Sequence, residues 1–469
     1  MLFNSFAFLP FLLIVLVFYW APVGGWKAKK LFLLAASYLF YAWWNPPFTL
    51  LLILSTGVDF VGGYMIPVSP QRWQKRVWLG LSVGFNLGVL GFFKYAGFFM
   101  NNMGWHPFPR SLEILLPVGI SFYTFQTMSY TLDVYWGRAE PTRSFLDFAL
   151  YVTFFPQLVA GPIVRAGEFL WQCKRPRKFD WNEFFWGTCL VSWGLFKKVV
   201  CADAILAPVV DRIFSYAGQP TFMNGWIGAY GFAAQIYCDF SGYSDMAVGL
   251  ALMMGFRIIH NFNRPYGALS FGDFWGRWHI SLSRLLKDYL YIPLGGNRKG
   301  SLRTARNLMV TMLLGGLWHG AGWNFVVWGG AHGLFLGAER VLFSRFRVDR
   351  TSLERLPLLL KAVLGIGVFH LTCLTWVLFR AGSLHAAGRI LRAMLGWRVV
   401  LPSGIDWPAL QVLLLAGGIA VWHFVHRHRS TSQVAACLPG WSLGTGVAVL
   451  LFLCRIWGPK SHAFIYFQF

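Results

Sequence analysis

The sequence predicts an all-α, polytopic integral membrane protein. Hydrophobic residues make up 56% of the chain and charged residues 13%, and the mean hydropathy is +0.52. Apolar runs of about 20 residues, long enough to cross a bilayer as helices, recur along the chain. The net charge of +23 comes from Lys and Arg in loops between these runs, where such residues orient helices and contact anionic lipid. We expect roughly ten to twelve transmembrane helices with added re-entrant and interfacial helices, and no nucleic-acid partner.

Four helices are predicted in the first hundred residues, at 3–20, 31–43, 48–66 and 77–98. The first run lacks a basic n-region and a small-residue cleavage site, which favours a retained helix over a signal peptide. Pro46 and Pro47 cannot continue a helix, so one must end before them. The basic loops at 26–30 and 72–76 are predicted to be cytoplasmic, which puts the N-terminus outside.

The next segments are less regular. A span at 115–137 carries Gln126 and Asp133. Segment 144–164 has basic residues on both flanks and contains Pro156 and Pro162, so we predict that it re-enters on one side as a kinked, buried backbone.

Two helices are predicted to follow, at 184–206 and 223–256, and the second is too long for one straight span. It carries Asp239 and Asp245 among apolar residues, where each acid needs a partner, predicted to be an arginine or a polar cavity. Segment 257–306 is strongly basic and interleaves aromatic with basic residues, as expected of a helix at the cytoplasmic interface.

The stretch 307–336 contains no Lys, Arg, Asp or Glu and has His319 near its centre. Its glycines, including Gly315 and Gly320, predict two half-length helices that meet at a break and hold His319 at depth. Basic loops on both sides predict that 307–339 is a second re-entrant element. The last spans are expected at 358–379, 408–425 and 441–457, which puts the arginine-containing connection 380–407 outside, against the positive-inside rule.

The eleven histidines differ in what their surroundings predict. His319 and His279 each follow a Trp, and each lies on or beside an interrupted segment, so these two are the candidate site. His332 and His370 are predicted to be satisfied core histidines. A solvated cytoplasmic helix end is predicted for three others: His423, His426 and His428. No signal attaches to the loop histidines His106, His260, His385 and His462.

The seven scattered cysteines form no C-x-x-C pair, so neither a zinc site nor a disulfide framework is indicated, and most should be buried small hydrophobes. The chain also lacks the nucleophile elbow, metalloprotease, P-loop and dinucleotide motifs. A buried neutral imidazole can accept a proton from a hydroxyl nucleophile. That chemistry suits transfer of a group from an anionic cytoplasmic donor to an acceptor across the bilayer. A transporter or channel is the alternative, although the two broken segments lack the matching repeats that transporters show, and a structural scaffold is a third possibility.

At these residues the sequence resembles the membrane-bound O-acyltransferases, and among them the bacterial alginate O-acetylase branch. The matching stretches run from about residue 115 to 333 and include FFPQLVAGPIVR, IYCDFSGYSDMAVGLALMMGF, NFNRPY, FWGRWHISLSRLLKDYLYIPLGGNRKG and LLGGLWHGAGWNFVVWGGAHG. The resemblance implies one membrane-embedded domain around a central tunnel, with N-terminal helices at 1–110, a catalytic core at 111–340 and C-terminal helices at 341–469.

The resemblance also implies the chemistry. His319 matches the invariant histidine of the family, and His279 matches the second signature position. The donor would be acetyl-CoA, with no bound cofactor or metal. The acetyl group would cross the bacterial inner membrane to a periplasmic serine-hydrolase-like (SGNH-type) acetyltransferase that modifies an exopolysaccharide, alginate or a related polymer. Further candidate substrate-binding or supporting residues are Asp245, Tyr243, Arg277, Trp278, Asn307 and Trp318.

Overall fold

The computed structural model describes residues 1–104, 115–396, 406–458 and 464–465. All regular secondary structure in these ranges is helical. The chain divides into two compact units, Met1–Gly194 with Tyr243–His260, and Leu195–Gly242 with Asn261–Phe469. His106, His462 and residues 397–405 of the 380–407 connection lie outside the described residues.

The first unit begins with five α-helices: α1 (Phe8–Trp20), α2 (Trp26–Ala42), α3 (Pro46–Val68), α4 (Arg72–Leu90) and α5 (Ala96–Met103). A π-helical turn, Gly91–Tyr95, joins α4 to α5. The four predicted helices are therefore present. As predicted, the prolines separate two of them, because α2 ends at Ala42 and Asn45 is extended before α3 begins.

The remaining helices of this unit are α6 (Ile120–Tyr135), α7 (Phe145–Thr153), α8 (Phe155–Leu158), α9 (Ala166–Cys173) and most of α10 (Trp181–Phe196). Segment 144–164 is broken where the prolines predicted a break: α7 ends at Thr153, and Pro156 lies in the first turn of the short α8. Residues Phe148 to Val164 are all buried in protein, which is a condition that a re-entrant segment would have to meet.

Helix α10 continues through a π-helical segment, Lys197–Leu206, into α11 (Ala207–Ser215), and α12 (Phe222–Met253) follows. With 32 residues, α12 is about 48 Å long. In the second unit, Asp239 is buried and pairs with Lys198 at 2.9 Å, and Lys198 also pairs with Asp203 at 2.8 Å. Among the described residues, the ion-pair partner found for Asp239 is therefore a lysine of the π-helical segment in place of the predicted arginine.

The basic segment after His260 forms short helices instead of one continuous interfacial helix. They are a 3-10 turn (Pro265–Gly267), α13 (Phe271–Arg277), α14 (Ile280–Leu286) and a π-helical turn (Lys287–Tyr291). The break between α13 and α14 falls at Trp278 and His279.

The stretch around His319 forms a hairpin of two long helices, α15 (Ser301–His319) and α16 (Trp323–Phe346). The 19 residues of α15 span about 28 Å, so the prediction of half-length helices is wrong. The chain turns only at residues 320–322. Gly316 and Gly329 instead lie inside the helices, where their Cα atoms face each other across the hairpin.

The missing side chains at these glycines allow the close approach of α15 and α16. A Cβ atom added at Gly316 would lie 2.2 Å from the Phe325 carbonyl oxygen, and one at Gly329 would lie 2.2 Å from the Met312 carbonyl oxygen. Small residues at such positions are typical of tightly packed helices in membranes.

We expect Gly329→Ala to lower the free energy of unfolding by about 1–3 kcal/mol, because the added methyl group meets backbone atoms that cannot move aside. Thermal unfolding of the purified protein in detergent measures the effect. Gly367→Ala is the matched control, since a Cβ atom at Gly367 on the surface of a later helix has no neighbour within 4 Å. An unchanged midpoint for Gly329→Ala would contradict the packing role.

The C-terminal region contains α17 (Arg350–Glu354), α18 (Leu358–Arg380), α19 (Leu384–Met394), α20 (Trp407–Val425), α21 (Thr431–Ala435) and α22 (Gly440–Trp457). The three predicted spans match α18, α20 and α22 within one residue at each end. Two arginines of the 380–407 connection have partners: Arg380 pairs with Asp211 at 2.6 Å, and Arg389 donates to the Gly218 carbonyl at 2.9 Å.

Five helical segments among the described residues are long and apolar enough to cross a membrane. They are Pro46–Val68, Arg72–Met103, Leu358–Arg380, Trp407–Val425 and Gly440–Trp457.

Candidate active site

His319 is the last residue of α15, at the closed end of the hairpin. Its side chain is buried and surrounded by aromatic rings. The ring centroids of Trp328 and Phe379 lie 5.1 Å and 5.4 Å from that of the imidazole, and Trp318 lies at 4.9 Å. The stiff hairpin and these rings fix the position of the imidazole.

His279 occupies the break between α13 and α14 with a φ of +44°, in the left-handed region. Non-glycine residues with this backbone conformation are uncommon and cluster at functional sites. The turn is held by Asn261, whose carbonyl accepts from the Ile280 N–H at 2.9 Å and whose side-chain oxygen accepts from the Ser281 hydroxyl at 2.6 Å. The imidazole of His279 is fully buried and meets the Phe240 ring edge-on at 4.7 Å.

The fold brings His279 and His319 together although 40 positions separate them in the sequence. Their ring centroids are 6.3 Å apart, and Trp318 lies 5.9 Å from His279. Burial lowers the pKa of His279 to about 3, because desolvation disfavours the charged imidazolium. Because this pKa lies below neutral pH, the folded protein holds His279 in its neutral form at pH 7. One of its ring nitrogens can then donate a hydrogen bond and the other can accept one.

Trp278 and Arg277 lie beside His279 but face other groups. Trp278 is fully buried, stacks on Phe274 at 5.8 Å and contacts Trp376 at 4.9 Å. Arg277 donates to Asp273 at 2.8 Å and to the Arg427 carbonyl at 2.9 Å. Arg277 therefore anchors α13 within a buried charge cluster.

The remaining predicted site residues are Asn307, Tyr243 and Asp245. Asn307 lies 12 residues before His319 on α15, about 18 Å along the helix, where it donates to the Gly296 carbonyl at 3.0 Å. Tyr243 and Asp245 belong to the first unit. There Tyr243 is buried and stacks on Phe3 at 5.4 Å, while Asp245 is half-buried.

Sequence reasoning missed Trp328, Phe379 and Phe240, the aromatic residues that enclose the two histidines. The only available signal was the presence of Trp328 in the small-residue run VVWGGAHG. Nothing local marks Phe240 or Phe379 as partners, since both come from distant helices.

His332 is a satisfied core histidine, as predicted. The Trp275 indole donates to its Nδ1 at 3.3 Å, and its Nε2 lies 2.9 Å from the Thr375 hydroxyl. That hydroxyl donates to the Thr372 carbonyl, so the proton of His332 resides on Nε2.

The prediction for His423 is wrong. Its side chain is buried, contacts the Tyr237 ring at 4.6 Å and accepts from the Tyr266 N–H at 3.4 Å. His428 is 64% exposed beside Glu354, as expected for a solvated helix end. The cysteines are free, and all but Cys437 are buried, in agreement with the sequence analysis.

A family model described as "MBOAT, membrane-bound O-acyltransferase family" matches residues 141–380. The chain belongs to the membrane-bound O-acyltransferase family. The matched region contains both histidines, α13 to α16 and all of α18. As a member of this family, the protein is a membrane-bound O-acyltransferase, and the expected enzyme class is confirmed.

Relatives at several levels of similarity accompany this match. One from Azotobacter vinelandii, named "Probable alginate O-acetylase", is 44% identical over 99% of this chain and 99% of its own length. The peptidoglycan O-acetyltransferase of Helicobacter pylori is 38% identical over 100% of this chain and 98% of its own length. The teichoic acid D-alanyltransferase of Bacillus subtilis is 24% identical over 60% of this chain and 72% of its own length.

Proposed function

We propose that this O-acyltransferase takes an acetyl group from acetyl-CoA on the cytoplasmic side of the bacterial inner membrane and passes it across for O-acetylation of an exopolysaccharide, alginate in particular. The observation that carries the proposal is the pair of buried imidazoles, His279 and His319, whose ring centroids lie 6.3 Å apart. A buried neutral imidazole is a suitable base for activating a hydroxyl nucleophile.

In this proposal His319 removes the proton from the acceptor hydroxyl, or carries the acetyl group briefly as an acyl-imidazole. His279 orients the donor carbonyl or the ring of His319. Trp318 contacts both imidazoles, and Trp278 packs the segment that carries His279 against Phe274 and Trp376. Arg277 and Asn307 support the site by anchoring α13 and the start of α15. Tyr243 and Asp245 are proposed to bind the substrate or to support the residues that do.

The donor side is proposed to be the basic segment that runs from Arg284 in α14 to Arg306 in α15. Its exposed basic side chains would attract the phosphates of coenzyme A, and acidic residues there are few. These exposed residues are Arg284, Lys287, Arg298, Lys299, Arg303 and Arg306.

The membrane architecture follows the same proposal. Roughly ten to twelve spans, more than the five long apolar helical segments, would surround a tunnel that reaches His319 from both sides. Segments 144–164 and 307–339 would re-enter, and residues 1–110, 111–340 and 341–469 would form one membrane-embedded domain. A serine-hydrolase-like periplasmic acetyltransferase would receive the acetyl group. The relatives' names support a polymer acceptor, since they specify alginate, peptidoglycan and teichoic acid.

The test uses purified protein in liposomes with acetyl-CoA labelled in the acetyl group and no ion gradient. The expected result is release of free coenzyme A that increases with a hydroxyl acceptor, together with labelled, alkali-labile ester. Transport of intact label into the liposomes without thioester cleavage would instead support a carrier. Mass spectrometry of the native polysaccharide, with and without the protein, identifies the acceptor.

A further inference from the structure

We propose that the indole N–H of Trp328 donates a hydrogen bond to the acyl carbonyl oxygen as negative charge develops on it during transfer. This inference rests on the proposed role of His319. The Trp328 ring meets the His319 imidazole at a centroid distance of 5.1 Å and an interplanar angle of 87°. Trp328 is therefore an immediate neighbour of the proposed base.

The polar atom of Trp328 makes the residue more than a packing group. Its side chain is 1% exposed, and its Nε1 has no hydrogen-bond acceptor within the described part of the chain. Burying an N–H group without an acceptor is costly, so such groups are rare in folded proteins. An acyl carbonyl that reacts at His319 supplies an acceptor beside this ring. Phe379, the other ring that contacts both His319 and Trp328, carries no hydrogen-bond donor.

The ring of Trp328 is held in place before any substrate binds. Trp376 stacks on it at 5.8 Å with an interplanar angle of 22°, and His332 contacts it at 5.0 Å. His332 is itself fixed by Trp275 and Thr375. A donor that does not need to reorient can stabilise a developing oxyanion without a reorganisation cost.

The transfer step balances as follows. The acceptor oxygen forms a bond to the carbonyl carbon while its proton passes to His319, and the π electrons of the C=O bond move onto oxygen. Trp328 hydrogen-bonds to that oxyanion and keeps its own proton. When the intermediate collapses, the C=O bond re-forms, the C–S bond breaks, and the leaving thiolate takes the proton from His319.

The test compares Trp328→Phe, which deletes the N–H but keeps an aromatic ring, with Trp226→Phe. Trp226 lies on α12 in the same unit, donates its indole N–H to the Met394 carbonyl at 3.1 Å and contacts the rings of Tyr230 and His370 instead of His319. We expect Trp328→Phe to lower kcat by about 10²-fold with an unchanged KM for the thioester, as for loss of one oxyanion donor. Trp226→Phe should keep its kcat.

A second substitution keeps the inference testable if Trp328→Phe does not fold. The analogue 3-benzothienylalanine at position 328 preserves the bicyclic shape and replaces the N–H with sulfur, and it should lower kcat to the same extent. Equal kcat values for the Trp328 and Trp226 variants, alongside an inactive His319→Ala, would overturn the hydrogen bond and leave the proposed function standing. An active His319→Ala would instead overturn the proposed function.

Discussion

Replacing His319 with alanine is expected to lower the rate of acyl transfer by about 10³-fold or more while the protein remains folded. A positioned general base contributes about 10²–10⁴-fold to a rate, and a base that also carried the acyl group would contribute further. His319 lies at the end of a hairpin whose packing depends on Gly316 and Gly329, so its side chain can be shortened without disturbing α15 and α16. Release of coenzyme A in liposomes measures the rate.

The control for this substitution is His428→Ala. His428 is 64% exposed and lies beside Glu354, so its loss should change neither the rate nor the thermal unfolding midpoint. Full activity of His319→Ala would contradict the assignment. Loss of activity together with a lowered unfolding midpoint in His319→Ala would show damage to the fold, and His319→Gln would then separate the two effects because it fills the site without providing a base.

Replacing His279 with alanine is expected to lower the rate by about 10²-fold, because the imidazole that orients the donor carbonyl or His319 is lost. The backbone of His279 has a φ of +44°, a conformation that Asn accepts more readily than most residues. His279→Asn therefore preserves the turn and supplies an amide that can hydrogen-bond in place of the imidazole. We expect it to retain more activity than His279→Ala in the same coenzyme A release assay.

His279→Gly tests the backbone separately from the side chain. Glycine adopts positive φ without strain, so His279→Gly should fold at least as well as the alanine variant and still transfer slowly. If all three variants transfer at the wild-type rate, His279 serves only to pack against Phe240, and the two-histidine site is wrong.

Much of the fold could be predicted because apolar runs and prolines act locally. The spans matching α18, α20 and α22 differ from the structure by no more than one residue at each end. The two candidate histidines were chosen for a similar reason, since each lies at an interruption of an apolar or aromatic segment. The sequence marks the interruption, although not the 6.3 Å that separates the rings.

The predictions that were wrong concern residues whose partners lie far away in the chain. The glycines from Gly315 to Gly322, Gly316 among them, were interpreted as part of a break, because a missing side chain serves equally well for a kink and for close packing, and only the facing helix distinguishes the two. His423 lies in a run of basic residues that suggests solvent, yet Tyr237 and Tyr266 cover it. The partner of Asp239 is Lys198, 41 positions earlier, and no local pattern connects them.

The close packing of α15 and α16 at Gly316 and Gly329 limits how the enzyme can move. Two helices in backbone contact cannot slide or separate without breaking that contact. His319 can therefore change position only if α15 and α16 move together as a rigid body. Crosslinking α15 to α16 should therefore be compatible with turnover. Any movement that admits substrates is expected in the segments around this hairpin.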